Sequence, residues 1–152
     1  MGATPYLFRS GFNAGIAFAE DVRPGSYPRN LLRQGVAEGK RIRKYFLGDF
    51  YPVVESGADA RGWMVMQYHR PRENDGMVMA FRRDQSPRAT CEARLRDIEP
   101  AKNYEVIVYR TYEPGKSLTL KGATLGLLRL EIGDCPGSVI VEYRDAASRG
   151  KM

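Results

Sequence analysis

His69 is the single histidine of this 152-residue chain, so a serine–histidine–acid triad or a zinc site would have to use it. It follows Tyr68 and precedes Arg70 and Pro71 at the end of a predicted strand. A histidine in that position reads as solvent-exposed and structural. No HExxH or CxxC spacing accompanies it, so neither a metal nor a cofactor is expected. Carboxylates fall in close pairs, Glu73 with Asp75 and Asp49 with Glu55. Acid–base hydrolysis of a glycosidic bond needs two carboxyls, one of them desolvated enough to hold a proton. Neither pair sits in a context that would desolvate it and raise its pKa, so these residues are catalytic candidates by type alone.

Flat aromatic faces flanked by polar groups suit sugars, because sugar C–H faces are apolar and hydroxyls need partners. Trp63, Tyr68, Tyr109, Tyr112 and Tyr143 are the residues for such a platform. Trp63 fits the core of a β-domain better than a platform. Tyr109 and Tyr112, near a strand end, are the better-exposed candidates. Gly11, Gly15 and Gly25 fit no phosphate-binding fingerprint.

The elements that must position these residues divide the chain near Gly48-Asp49-Phe50-Tyr51-Pro52. Before this join, Tyr6 to Phe18 is a Gly-rich apolar run that reads as a strand buried on both faces. Asp21 to Ser26 turns, and Ser26 or Asn30 is placed to cap a helix over Asn30 to Phe46. That helix carries a stripe of Leu31, Gly35, Ile42, Tyr45 and Phe46, with Leu32 and Val36 beside it. Gly35 and Gly39 each cost roughly 1 kcal/mol of helix propensity, which suggests close approach of another backbone, and Gly48 is its stop.

After the join the period changes to two. Trp63, Val65 and Gln67 share one face of a strand, and Met64, Met66 and Tyr68 the other. Further strands are read over Met77–Phe81, Thr90–Ile98, Tyr104–Arg110, Leu118–Leu120, Thr124–Ile132 and Ser138–Arg144, with Gly/Pro turns between. Short alternating strands of this kind argue an antiparallel sandwich. The division is therefore 1–48, a strand–helix unit; 49–145, the sandwich; and 146–152, a fraying tail.

The net charge is +6. The excess is local, with Arg29, Arg33, Lys40, Arg41, Arg43 and Lys44 standing against Glu38 alone in residues 29–44. A solvated helix face is the plain reading. Binding of a polyanion through this helix is an alternative function, although nucleic acid is not the expected partner. Cys91 and Cys135 make no disulfide framework or metal cluster and read as small buried or half-buried side chains, with a bridge between them left open. A basic leader followed by a long apolar run is missing, as is a membrane-length apolar stretch. A cytoplasmic protein without membrane contact is expected.

Several motifs, in order, resemble glycoside hydrolase family 36 alpha-galactosidases (melibiases). They are Phe46-Leu47-Gly48-Asp49-Phe50-Tyr51-Pro52 followed by Trp63-Met64-Val65-Met66-Gln67-Tyr68; Asp75-Gly76-Met77-Val78-Met79-Ala80-Phe81-Arg82-Arg83; Leu95 through Val106; and Pro136-Gly137-Ser138-Val139-Ile140-Val141-Glu142-Tyr143-Arg144. Upstream, Tyr6-Leu7-Phe8-Arg9-Ser10 and Gly15-Ile16-Ala17-Phe18 are similar to the region of the eighth barrel strand. The resemblance implies the end of a (β/α)8 barrel followed by the C-terminal antiparallel sandwich, mainly β with seven or eight strands. It also implies that the strands bearing the family's carboxylate pair lie earlier than anything in this chain, so no catalytic residue carries over. Asp21 would sit at the barrel's C-terminal face, at best as a subsite residue.

The resulting expectation is a truncated alpha-galactosidase-like protein: a non-catalytic accessory sandwich with weak carbohydrate affinity. The alternative from another class is a small hydrolase of glycosidic or ester bonds whose site forms at an oligomer interface. A bare helix stripe around Leu31, Ile42, Tyr45 and Phe46 would be a large apolar patch, so a homo-oligomer pairing these segments is expected.

Overall fold

A computed structural model describes residues 4–12, 21–54 and 59–150. The first element is not the expected strand. Residues Pro5–Ser10 form a helix, α1. Thr4 caps it by accepting from the Leu7 amide at 3.3 Å, and Pro5 takes the first helical position, where its missing N–H costs nothing. Residues 13–18 of the expected strand lie outside the described residues. The second helix, α2, spans Arg29–Ile42 and passes into a 3₁₀ turn, Arg43–Leu47. Pro28 stands at its cap without a side-chain hydrogen bond, so neither Ser26 nor Asn30 caps it. Gly48 ends the turn, its amide donating to the Tyr45 carbonyl at 2.9 Å.

Eight strands follow: β1 Asp49–Val54, β2 Trp63–Arg70, β3 Asp75–Arg82, β4 Thr90–Arg94, β5 Asn103–Tyr109, β6 Leu118–Lys121, β7 Leu127–Glu131 and β8 Gly137–Asp145. The expected strand over Thr124–Ile132 is split, because a single helical turn, α3 (Gly122–Leu125), precedes β7. All pairings are antiparallel. One sheet has the order β1-β2-β3-β8-β5-β6, and β4 pairs β7 in a second, small sheet. The mainly-β antiparallel fold of seven or eight strands expected from the sequence is the fold observed, with eight strands among the described residues.

The large sheet has a core on each face. On one side Trp63, Val65, Val78 and Val141 meet Ala93 and Leu130 of the small sheet. On the other, Met77, Met79, Phe81 and Ile140 meet Phe8 of α1, Ile42 of α2 and Tyr45 of the 3₁₀ turn. Central β3 is buried on both sides, which is why its sequence is apolar without alternation. The stripe on α2 is therefore not bare. It rests on the chain's own sheet, and the motive for pairing it with a second copy is gone. Gly35 marks the close approach, although the partner is a ring and not a backbone: a Cβ there would lie 2.8 Å from the Phe8 side chain.

In the segment read as the tail, Ala146–Gly150 forms a 3₁₀ turn, and the Ala147 amide donates to Asp145 at 2.9 Å. One smaller expectation changes. Cys91 is half-buried, whereas Cys135 is exposed, and both are free thiols.

Candidate functional site

The β2–β3 hairpin positions most of the candidate residues. Its register pairs His69 with Gly76 and Arg70 with Asp75, while β1 brings Asp49 opposite His69. Asn74 closes the turn at φ 49°, a left-handed conformation that asparagine tolerates better than most residues. Its side chain ties the turn down, donating to Glu99 and Asp145 at 3.1 Å each and accepting from the Tyr104 hydroxyl at 3.0 Å. Beside this hairpin end lies an open cleft of about 460 Å³, lined by Lys44, Gly48, Asp49, Arg70, Arg72 and Glu73 among others.

The carboxylates there do not form an acid–base couple. Both oxygens of Asp75 accept from Arg70, at 2.8 and 2.6 Å, so this group holds the hairpin end. Glu73 stands 3.9 Å from the same guanidinium and is exposed. Asp49 is exposed in the cleft, and Glu55, its neighbour in sequence, lies outside the described residues. Asp21 is remote in function: it is exposed and chelates Arg23 at 2.8 and 2.9 Å, which lowers its carboxyl pKa.

His69 is not the exposed strand-end residue expected. Only 2% of it is accessible, because β2 continues through Arg70 and keeps His69 on the inward face shared by Trp63, Val65 and Gln67. Its Nδ1 lies 3.0 Å from the Tyr143 hydroxyl. Gln67 donates to that hydroxyl at 2.8 Å and to the Arg96 carbonyl at 2.9 Å, and accepts from the Arg96 amide at 2.7 Å. A cluster this well satisfied rigidifies the core. Gly76 leaves room for it, since a Cβ there would lie 2.4 Å from the Tyr143 hydroxyl.

Burial lowers the His69 pKa from 6.5, partly opposed by the charges of Asp97, Asp75 and Asp49. The sign follows from linkage. The folded state holds His69 neutral where the unfolded chain would protonate it, so folding stability falls as pH drops below about 6.5. Urea midpoints should be lower at pH 5.5 than at pH 7.5. The difference should shrink in His69→Gln; an equal difference in that variant would assign the pH response to other groups.

The aromatic platform is not assembled. Trp63 is core, with its indole N–H donating to the Arg88 carbonyl at 3.0 Å. Tyr109 and Tyr112, expected to be exposed, are 7% and 8% accessible, because the helical layer covers that face of the sheet. The Arg41 guanidinium lies 3.9 Å from the Tyr109 ring centre. Tyr143 is buried with His69. Tyr68 alone stays half-open, packed against Phe46 and Phe50 with ring centres 4.8 and 5.2 Å away. Phe50 is half-exposed, and this ledge borders the cleft residues Gly48 and Asp49.

The sequence reading missed the buried ion pair that fastens α1. Arg9 is 1% accessible and Glu38 likewise. Two guanidinium nitrogens of Arg9 donate to the two Glu38 oxygens at 2.8 Å each, and Arg9 also reaches the carbonyls of Ser138 and Thr111. One signal was available. Glu38 is the lone acid in a basic helix and falls on the side of Gly35 and Ile42. Gln67, polar on an apolar strand face, was the equivalent signal for the histidine cluster.

Solved structures share this fold. An AgaA double variant from Geobacillus stearothermophilus in complex with raffinose, a GH36 alpha-galactosidase, superposes with a TM-score of 0.62 at 14% identity, covering 84% of this chain. The fold is that of part of a GH36 alpha-galactosidase. A second AgaA variant, in complex with 1-deoxygalactonojirimycin, gives 0.61 at 14% identity over 84% of the chain, and AgaB from the same organism gives 0.58 at 16% over 82%. This chain spans 17% of the length of each of these GH36 enzymes. No protein-family model and no curated protein matches it. The GH36 resemblance seen in the motifs thus extends to the three-dimensional fold. Among the described residues no helix is long and apolar enough to cross a membrane, and no group of three acidic, histidine or cysteine side chains is placed to hold a metal.

Proposed function

We propose that this chain is a non-catalytic accessory domain of an alpha-galactosidase-like protein, with weak affinity for carbohydrate. One observation carries the reading: the fold corresponds to about a sixth of a GH36 enzyme, while the described acids that are not exposed serve the chain's own scaffold. Glu38, Asp75, Glu105, Glu142 and Asp145 each pair with a cation. A carboxylate that holds a guanidinium is poorly placed to hand a proton to a leaving sugar. Weak sugar binding is supported by the half-open ledge of Tyr68 and Phe50 beside the polar cleft, and by the ligands of the neighbouring structures, raffinose and 1-deoxygalactonojirimycin.

The purified chain should give no hydrolysis of p-nitrophenyl α-galactoside above buffer. Titration with raffinose should shift NMR signals of the cleft and ledge residues, with a Kd in the millimolar range or weaker. Turnover that disappears in Asp49→Asn or Glu73→Gln would replace this reading with that of a small hydrolase working from the cleft.

A further inference from the structure

The outer face of α2 and the turn after it carries an unbalanced charge that the fold does not use. Arg29, Arg33, Lys40, Arg43 and Lys44 are all exposed. At about 100° per residue they fall within an arc of roughly 100° on one side of the helix. With about 1.5 Å of rise per residue, they form a row on the order of 20 Å long. The other exposed positions from 29 to 47 are Asn30, Ala37 and Leu47, so every exposed charge carried by this segment is positive; an exposed acid from another segment, Glu113, accepts from Gln34 at 3.4 Å.

Part of this row works against the helix that carries it, although Lys40 and Arg43 at the C-terminal end are favoured by the dipole. Arg29 with Arg33 and Lys40 with Lys44 are like charges four apart, a destabilising spacing. Arg29 opens the helix, where the dipole disfavours a cation, and the first turn has no acid to compensate. Arg41, on the inner side, shows the contrast: it is paired with Glu142 at 2.6 Å and with Glu38 at 3.4 Å. Arg29, Arg33, Lys40 and Arg43 form no ion pair among the described residues, and Lys44 lies over the Tyr45 ring at 4.7 Å. Where the fold needs a cation it neutralises it; the outer row is left charged.

We infer that this row is a binding surface for an acidic polysaccharide, a chain bearing uronate or sulfate groups. The inference rests on the carbohydrate reading above and names the class of carbohydrate. A straight ladder of cations suits a linear chain with regularly spaced anions, and the three arginines can each hold a carboxylate or sulfate with two parallel hydrogen bonds. Single-stranded nucleic acid fits less well, because its sites place stacking aromatics among the cations. The uncharged exposed positions here offer an amide, a methyl and a leucine. Asp49 and Glu73 stand in the cleft beyond Lys44 and mark the end of the surface.

The test is calorimetric titration of the whole chain with polygalacturonate at low salt. Binding should weaken steeply as salt is raised. It should fall roughly tenfold or more in the triple variant Arg33→Gln, Lys40→Gln, Arg43→Gln. All three side chains are exposed, so the urea midpoint should change little, which separates lost binding from lost folding. Galactomannan, a neutral polymer, and duplex and single-stranded DNA are the comparison ligands. No binding of polygalacturonate, equal binding by the triple variant, equal binding of galactomannan, or DNA binding as tight as polygalacturonate would each overturn the inference. Hydrolysis of p-nitrophenyl α-galactoside would instead remove the accessory reading and leave this surface standing.

Discussion

Replacing Arg9 by Met while Glu38 stays should lower the unfolding free energy by about 3–5 kcal/mol, read from urea denaturation followed by Trp63 fluorescence. The cost is of that size because the substitution removes both short hydrogen bonds from a carboxylate with 1% accessibility and leaves it only the longer Arg41 contact at 3.4 Å, and a buried charge that loses its close partner is far more expensive than the pair is favourable. The converse substitution, Glu38→Leu, strands the guanidinium and should cost a similar amount. The double variant should recover most of the loss, since two apolar side chains of similar volume need no partner. A loss below about 1 kcal/mol in both single variants would mean that water reaches the pair and that α1 is only loosely fastened. The same measurement bears on the architecture. Arg9 touches α2 through Glu38, β8 through Ser138 and the segment after β5 through Thr111, so its removal tests whether the N-terminal segment is part of the cooperative unit.

Ile42→Ala should cost about 2–5 kcal/mol in the same assay, the range for truncating a large aliphatic side chain in a packed core. Ile42 has no accessible surface and sits between α2 and the apolar face of the large sheet. Lys40→Ala, two residues earlier on the exposed side, should change stability by no more than about 0.5 kcal/mol. The contrast decides whether the helical layer is held by its inner stripe. If Ile42→Ala were as mild as Lys40→Ala, the helix would be resting on the sheet without being packed into it, and the apolar face would be open to another occupant.

Strands and helix differ in how plainly they were written. The alternation of Trp63, Val65 and Gln67 against Met64, Met66 and Tyr68 specifies β2 and its two faces, because side-chain direction in a strand reverses at every residue. The stripe of Leu31, Gly35 and Ile42 likewise specifies the inner side of α2. The run from Tyr6 misled because its opening apolar residues, Tyr6, Leu7 and Phe8, stand side by side and so fit a buried strand and a helix alike. The short cap Thr4-Pro5 outweighed it and started a helix. Among the candidate site residues, the placement of Asp49, Glu73 and Asp75 near one hairpin end follows from strand order. The burial of His69 and Tyr109 does not, because each depends on what lies across the sheet.

Taken alone, the order of residues determined the composition of several faces: which side of β2 is apolar, which side of α2 is charged, and that Gly35 meets a neighbour. These are local consequences of periodicity and of steric limits on the backbone. Tertiary structure decided what those faces meet. It laid α1 and α2 on their own sheet, joined Arg9 to Glu38 across 29 positions, and drew His69 into a cluster with Tyr143, 74 positions away. Contacts over such separations are set by which surfaces exclude water from one another, and no local pattern encodes that choice.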